Sequence, residues 1–401
     1  MVFDFTRYLP AIIGGIVSVL VLLGLLAISF SLLKWRHLLK RKTVALELTP
    51  PADAMRSLLA TQKLLDIIHG LNSSRPLKDK LLKREVVLAF EILSSRAHGI
   101  RFALRIEQRL AASMHQSIAA YVPHMKMAEL RDELPGEANM QIIEFKQAGH
   151  YAFPLALQDA LEQHDPVAYI TGTMTKLNQD ELMDFQLTLT PTHLRKATIL
   201  AYKILGNEDL LTHLNGRKIL FWSSLSQVIN STLLGMTDAV GEIYHGPTKQ
   251  SYNAHQKEAR DKSQIARRLR PARTLSSFEL ELMETMHHKL NQPLFRVSMR
   301  AAVKMNTPTE SRQRLAAIKT SLQAYSVPPY QSLKTRVNSP LTKKLRAFAF
   351  THRLPSLFAR HAMVLSSSEL ASLYHFPLGS NSQTDNLITS LSRTLSAPVS
   401  L

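Results

Sequence analysis

The most regular pattern in the chain is an uncharged apolar stretch from Ala11 to Leu33. As an α-helix it would extend about 34 Å, enough to cross the roughly 30 Å hydrocarbon core of a bilayer. A signal peptide would have a shorter core preceded by its basic run, whereas the basic residues here follow the core. This distribution predicts an uncleaved anchor over residues 1–42 with its N-terminus outside. The membrane flank comprises Lys34, Trp35, Arg36, Lys40, Arg41 and Lys42.

After the anchor, the pattern of apolar residues changes to one that predicts short strands and helices. VALEL alternates from Val44 to Leu48, and the next apolar positions have helical spacing as far as His69, with Gly70 as the expected stop. Two alternating segments flank a turn at His98-Gly99 and predict a hairpin. A helical segment and the strand MKMAEL follow. Residues 43–135 are therefore predicted to form a first α/β unit of ββαβ type.

The same kinds of element recur in residues 136–325, which we predict to form a second α/β unit. MQIIEF, MDFQLTLTP and LFRVSMRAAV are the expected strands. Asp165-Pro166 predicts a helix start, and Ser276 with Glu279 predicts a capping box. A helical and basic insertion occupies about residues 206–274, and residues 326–401 form a Pro/Ser-rich extension. The predicted fold class is α+β: one N-terminal transmembrane helix followed by two-layer α/β sandwich units.

Charge and cysteine content narrow the functional classes. The formal net charge is +18 and the pI is near 10.0, which favours an anionic membrane surface or a nucleic acid as partner. The chain has no cysteine, which excludes disulfides, thiolate metal sites and a cysteine nucleophile.

A second run of basic residues forms an arm in the insertion. Within residues 257–273, seven basic residues accompany two acidic ones. Such a run is commonly a solvated helix; the functional alternative is an arm that binds a polyanion or a partner. Its basic members are Lys257, Arg260, Lys262, Arg267, Arg268, Arg270 and Arg273.

Motifs for catalysis and cofactor binding are absent from the sequence. It contains no P-loop, no G-x-G-x-x-G, no G-x-S-x-G and no H-E-x-x-H. His287 and His288 are adjacent on a predicted helix, where side chains diverge by about 100°, and Glu181 and Asp184 are expected in a solvated turn. We therefore predict no enzyme activity, no cofactor and no metal.

Three segments together resemble a known family. They are Asp165-Pro166 followed by Glu181, Gln186 and Pro191; the strand with internal Arg300; and LSSSELASLYHFP at residues 365–377. They resemble the N-terminal domain that precedes the motor in membrane-anchored type IV secretion and conjugative coupling ATPases of small-genome bacteria. In that family a P-loop motor follows the H-F-P segment, and here the sequence ends at Leu401.

The resemblance implies a non-enzymatic, membrane-anchored accessory subunit of a type IV secretion or conjugative DNA-transfer machine, at the inner membrane with its C-terminal domain in the cytoplasm. A P-loop motor ATPase on a separate chain would be its partner, with DNA and self-association as further candidates. The alternative is a membrane-tethered nucleic-acid-binding protein acting alone, and a third hypothesis is an enzyme with an unfamiliar site.

The segment 365–377 leaves two alternatives open. It predicts one short amphipathic helix ending before Pro377, which is too short to be stable without a surface to pack on. That surface is either its own domain or the motor. The candidate docking residues are Glu369, Leu370, Leu373, Tyr374 and Phe376.

Overall fold

The computed structural model describes residues 35–50, 57–73, 75–81, 84–121, 125–130, 140–156, 166–194, 276–337, 339–356 and 363–376, with single helical positions before residue 35 and at Ala197 and Leu200. This part of the chain has an α+β fold. Its strands are β1 (Thr43–Thr49), β2 (Leu88–Ser95), β3 (Gly99–Glu107), β4 (Lys126–Glu129), β5 (Gln141–Gln147), β6 (Leu182–Thr192), β7 (Leu294–Lys304), β8 (Leu333–Thr335) and β9 (Met363–Ser366).

The described helices lie between these strands. They are α1 (Ser57–Ser73), α2 (Leu77–Leu81), α3 (Gln108–Tyr121), α4 (Pro166–Thr173), α5 (Ser277–Asn291), α6 (Pro308–Ser321), α7 (Pro340–Thr351) and α8 (Ser367–Leu373), with a 3₁₀ turn at Leu322–Tyr325. Helix α5 begins with the predicted capping box between Ser276 and Glu279.

The strands form one nine-stranded sheet, in which eight follow the order β4-β1-β3-β2-β6-β7-β5-β8 and β9 pairs with β7 outside this order. β6 pairs with β7 in antiparallel register from Leu182 opposite Lys304 to Thr192 opposite Leu294. The other edge of β7 is shared, because β9 pairs with its first half and β5 with its second half. β7 is therefore the strand that connects the most elements of the sheet.

The two predicted α/β units share this sheet. β2 of the first unit pairs directly with β6 of the second, from Leu88 opposite Leu189 to Ser95 opposite Leu182. Their apolar residues also belong to one buried cluster. The described parts of both units therefore have a common core.

The sheet is covered by helices on both faces, so the predicted two-layer arrangement needs correction. Odd-numbered residues of β7, such as Phe295 and Met299, lie in the main core with apolar residues of α1, α3, α4, α6 and α8. Even-numbered residues face the other side, where Leu294 packs with α5 and Ala302 packs with Phe350 of α7. This alternation follows from the period of two residues in a strand.

The predicted fold class also needs correction at the N-terminus. In the portion of the chain with a described structure, no helix combines the length and the apolarity needed to cross a bilayer. The single transmembrane helix predicted over Ala11–Leu33 is therefore not supported, and most of that stretch lies outside the described residues. An uncharged apolar run satisfies a necessary condition for a membrane span without being sufficient for one.

Candidate functional site

The second face of the sheet buries an unusual number of charged and polar side chains. Glu91 of β2, Gln186 of β6 and Arg300 of β7 project from neighbouring strands, and each is at most 2% exposed. Glu144 on β5 is opposite Arg300 in the strand register. Helix α7 covers this part of the face, with Phe350 buried against Ala302. The charged groups are thus enclosed between the sheet and one helix.

A cavity of about 240 Å³ opens beside this cluster. We call it the arginine cavity. Four cationic side chains and one carboxylate line it, an excess of three positive charges. Its lining residues are Glu144, Lys146, Arg300, Arg336, Val337, Thr342, Leu345, Arg346, Ala349 and Ser356.

Glu144 lies among three guanidinium groups and forms ion pairs with them. Its carboxylate oxygens are 3.8 Å from Arg300 Nη2, 3.8 Å from Arg336 Nε and 3.4 Å from Arg346 Nε. A charge-assisted hydrogen bond is typically about 2.7–2.9 Å long. The distances to Arg300 and Arg336 exceed this range, and Arg346 is the nearest of the three arginines.

Arg300 is held in place by neutral acceptors. Its Nη1 donates to Gln186 Oε1 at 3.2 Å and to the Ala349 carbonyl at 3.4 Å. Burial lowers the pKa of Arg300 to about 10, and the positive charges of Arg346 and Arg336 add to this effect against the opposing attraction of Glu144. The group therefore remains charged at neutral pH.

Arg346 has a similar environment at the edge of the arginine cavity. Its Nη2 donates to the Val337 carbonyl at 3.4 Å. Burial lowers the pKa of Arg346, and Arg336 contributes in the same direction, whereas Glu144 opposes both. Arg336 directly follows β8. The backbone N–H of Arg336 donates to the Glu144 carbonyl at 2.8 Å, which holds Arg336 beside β5.

A second ion pair closes the cluster on the side of β2. Arg353 Nε donates to Glu91 Oε1 at 2.8 Å, and Gln186 Nε2 donates to the same oxygen at 2.9 Å. Arg353 has a φ of 50°, a left-handed conformation that is uncommon for arginine. Gln186 connects this pair to Arg300, so the two charged groups form one network.

The chemistry available to this arrangement is the binding of anions. Guanidinium groups donate hydrogen bonds and carry charge, but they do not exchange protons near neutral pH. The cavity carboxylate, Glu144, lies beside three of these guanidinium groups.

The candidate docking residues of segment 365–377 lie in the core of their own domain. Leu370, Leu373, Tyr374 and Phe376 are at most 2% exposed and belong to the main apolar cluster. Glu369 is 1% exposed and accepts hydrogen bonds from Lys289 Nζ at 3.0 Å and from the Leu155 N–H at 2.7 Å. Of the two alternatives, the structure shows packing on the parent domain.

Part of the predicted membrane flank also contacts the domain. Leu38 is buried with Val87 and Leu354, and Trp35 packs against this cluster. Arg41 donates to the Val87 carbonyl at 2.6 Å and to the Arg353 carbonyl at 3.3 Å, and burial lowers its pKa to about 10. Lys34 lies outside the described residues, while Arg36, Lys40 and Lys42 are exposed.

The other residues singled out in the sequence are the basic arm, a carboxylate pair and a histidine pair. All seven basic residues of the arm at 257–273 lie outside the described residues. Glu181 and Asp184, expected in a solvated turn, are buried at 4% and 0% exposure, so that expectation was wrong. His287 and His288 contact different amides, Asn291 and Gln292, in agreement with their predicted divergence.

The sequence pointed to Arg300, and to Gln186 beside it, but to no other residue that lines the arginine cavity. Glu144 had a recognisable signal, since it is a charged residue between Ile143 and Phe145 in the largely apolar strand MQIIEF. No local sequence signal distinguishes Arg336 and Arg346, because their place in the cavity depends on where α7 packs.

Comparison with protein-family models and with curated proteins gives no match for this chain.

Proposed function

We propose that the protein is a non-enzymatic accessory subunit of a type IV secretion or conjugative DNA-transfer machine. Its partner would be a motor ATPase on a separate chain. The main observation in favour is that the segments carrying the sequence resemblance are neighbours in space.

The resembling segments occupy adjacent strands of one sheet. Gln186 and Pro191 are on β6, Arg300 is on β7, and the segment beginning at Leu365 comprises the end of β9 and α8. Arg300 donates to Gln186, and β9 pairs with the first half of β7. Residues that are far apart in the chain thus maintain one local structure, as expected if the resemblance reflects a common fold.

The buried charges support a binding or scaffolding role over catalysis. Glu91 is paired with Arg353, Glu144 lies among arginines, and Glu369 is paired with Lys289. A general base needs a carboxylate with a pKa near the operating pH and access to a substrate proton. These three carboxylates are instead buried beside basic side chains, which limits their access to a substrate.

The proposal is tested by co-expressing the full chain with the P-loop ATPase encoded nearest to it. Pull-down through a tag on the full chain and size-exclusion chromatography measure the complex, with an unrelated soluble P-loop ATPase as the control. We expect the neighbouring ATPase to co-elute and the control to be absent. We also expect ATP hydrolysis to require the partner chain.

Two outcomes would contradict the proposal. ATP hydrolysis by the purified chain alone would show an enzyme, and failure to bind any motor ATPase of the same genome would remove the proposed partner. If the chain instead binds duplex DNA alone, with an affinity that falls steeply as salt rises, the nucleic-acid-binding alternative is favoured.

A further inference from the structure

We propose that the arginine cavity binds a single dianionic phosphate group, either inorganic phosphate or the terminal phosphate of a small phosphate monoester. The Glu144 carboxylate lies beside the same arginines and would compete with this group for them. The site does not depend on the accessory-subunit proposal, because it is inferred from the cavity alone.

The charge of the arginine cavity is the first argument. Its lining residues include four cations and one carboxylate, and one of the cations, Arg300, is almost completely buried. Burying charge without an equal countercharge is costly. A bound dianion would compensate most of this excess.

The geometry of Arg300 is the second argument. Its side chain is 1% exposed, its Nη1 is occupied by Gln186 and Ala349, and Nη2 is 3.8 Å from Glu144. Its Nε is buried and has no hydrogen-bond partner among the described residues. A buried N–H group without an acceptor is uncommon in a stable protein, and a phosphate oxygen would supply one.

The choice of phosphate follows from the donors. Guanidinium groups present planar pairs of N–H groups that match the oxygens of phosphate, and three of them converge here. Thr342 and Ser356 also line the cavity; the Thr342 hydroxyl donates to the Ser339 carbonyl at 3.0 Å, and the Ser356 hydroxyl can donate to a further oxygen. Several donors in different directions suit a tetrahedral anion better than a planar one.

The size of the cavity limits the ligand to a small molecule. Its volume of about 240 Å³ is below the roughly 300–1,000 Å³ of typical pockets for drug-sized ligands. Val337 and Leu345 provide apolar lining next to the charged groups. A phosphate with a short organic substituent fits this combination.

Isothermal titration calorimetry on the full chain tests the site with inorganic phosphate and with glycerol phosphate, at constant ionic strength. We expect binding to weaken by about tenfold or more in Arg336→Gln and Arg346→Gln, because each loses a hydrogen bond to a charged group. Arg312→Gln is the matched control, since Arg312 is exposed on α6, and it should bind as the parent does.

Glu144→Gln should change phosphate affinity in the opposite direction, which makes it the more specific test. Removing the carboxylate that competes for the arginines should strengthen phosphate binding by about tenfold or more. A residue with only a structural role would weaken binding or leave it unchanged. Circular dichroism establishes that each variant is folded, and Arg300→Gln is informative if it passes this check.

The pH dependence distinguishes a dianion from other anions. A phosphate monoester has a second pKa of about 6, so its affinity should rise between pH 5 and 7.5, while acetate at the same ionic strength should show no such rise. The proposal is overturned if the Kd for phosphate is above about 10 mM, which corresponds to a binding free energy of about −2.7 kcal/mol. It is also overturned if Arg336→Gln and Arg346→Gln bind like Arg312→Gln, or if acetate binds equally well.

Discussion

At the scale of single residues, a buried ion pair connects two helices in the interior of this protein. Lys289 is 2% exposed, and its ammonium donates to Glu369 at 3.0 Å and to the Phe153 carbonyl at 3.2 Å. Burial lowers the pKa of Lys289, and the attraction of Glu369 opposes this. Glu369 also caps α8 by accepting from the Ser366 N–H at 2.8 Å. This pair connects α5 to the last described helix.

A double-mutant cycle on the Lys289–Glu369 pair tests its energetic role. Glu369→Gln should lower the free energy of unfolding by about 3–5 kcal/mol, because it leaves a buried ammonium without its countercharge. Lys289→Met should cost less, since the carboxylate retains two backbone donors. The double variant should be more stable than Glu369→Gln alone in urea denaturation. Simple addition of the two losses would show that the groups act independently.

Glu181 predicts a specific dependence of stability on pH. Burial raises its pKa, but hydrogen bonds from the N–H groups of Asn178 at 2.7 Å and Asn306 at 3.3 Å outweigh this and hold it below its ordinary value of 4.5. The folded state therefore binds its proton less readily than the unfolded state. Its stabilising contribution is complete above about pH 4.5 and is lost as the pH falls through the lowered pKa.

We therefore expect Glu181→Gln to be less stable than the parent by about 1 kcal/mol at pH 7 and to differ less near pH 3. Chemical denaturation at both pH values measures the difference. Glu284→Gln on the exposed side of α5 is the control and should remain within about 0.5 kcal/mol of the parent. An equal difference at both pH values would exclude the carboxylate as the cause.

At the scale of elements, two glycines have opposite roles. Gly70 was predicted to end α1, but the helix continues to Ser73 and a β-carbon at Gly70 would meet no atom within 4 Å. At Gly149, a β-carbon would clash with the backbone carbonyl oxygen of Tyr330. The same substitution should therefore have opposite effects at the two sites.

Gly70→Ala should raise the free energy of unfolding by about 0.5–1 kcal/mol, because alanine loses less conformational freedom in a helix. Gly149→Ala should lower it by about 1–3 kcal/mol, because the loop must move away from Tyr330. Thermal or urea denaturation of the two variants measures both signs. A destabilising Gly70→Ala would indicate that α1 does end near this residue.

Helix α8 provides the second prediction at this scale. Leu373 is 0% exposed, so Leu373→Ala should cost about 2–5 kcal/mol through lost burial and a cavity. Leu77→Ala on α2 is the matched control, because Leu77 is 83% exposed, and it should change stability by less than about 0.5 kcal/mol. An unchanged melting temperature for Leu373→Ala would mean that α8 does not contribute to the folded core.

Local elements were predictable from the sequence because their signals are local. Alternation located β2, β3, β6 and β7, the Gly99 turn has the expected positive φ of 64°, and α4 begins at Pro166 as predicted. The pairing of β2 with β6 was not predictable, because both strands have equivalent apolar faces and nothing local selects the partner. The arginine cavity was missed for the same reason: its residues come from β5, β7, the loop after β8 and α7.

At the scale of the whole molecule, β9 and α8 complete the main core from the end of the described chain. β9 pairs with β7, and α8 belongs to the same apolar cluster as α1 and α4. A chain ending at residue 362 should therefore lose cooperative unfolding, whereas one ending at residue 376 retains every described contact. Calorimetry of the two truncations measures this difference. A cooperative transition in the shorter chain would show that the sheet folds without its last strand.

The position of β9 and α8 also has a consequence for synthesis in the cell. Tyr374 contacts the carbonyl of Ala103, 271 residues earlier, and Arg41 contacts the carbonyl of Arg353, 312 residues later. Contacts this distant in sequence make folding slow. The core also cannot close on the ribosome until almost the last described residue has been translated, so the nascent chain exposes unpaired strand edges for most of its synthesis. Chaperone dependence during translation is the expected consequence of placing the final strand beside the central one.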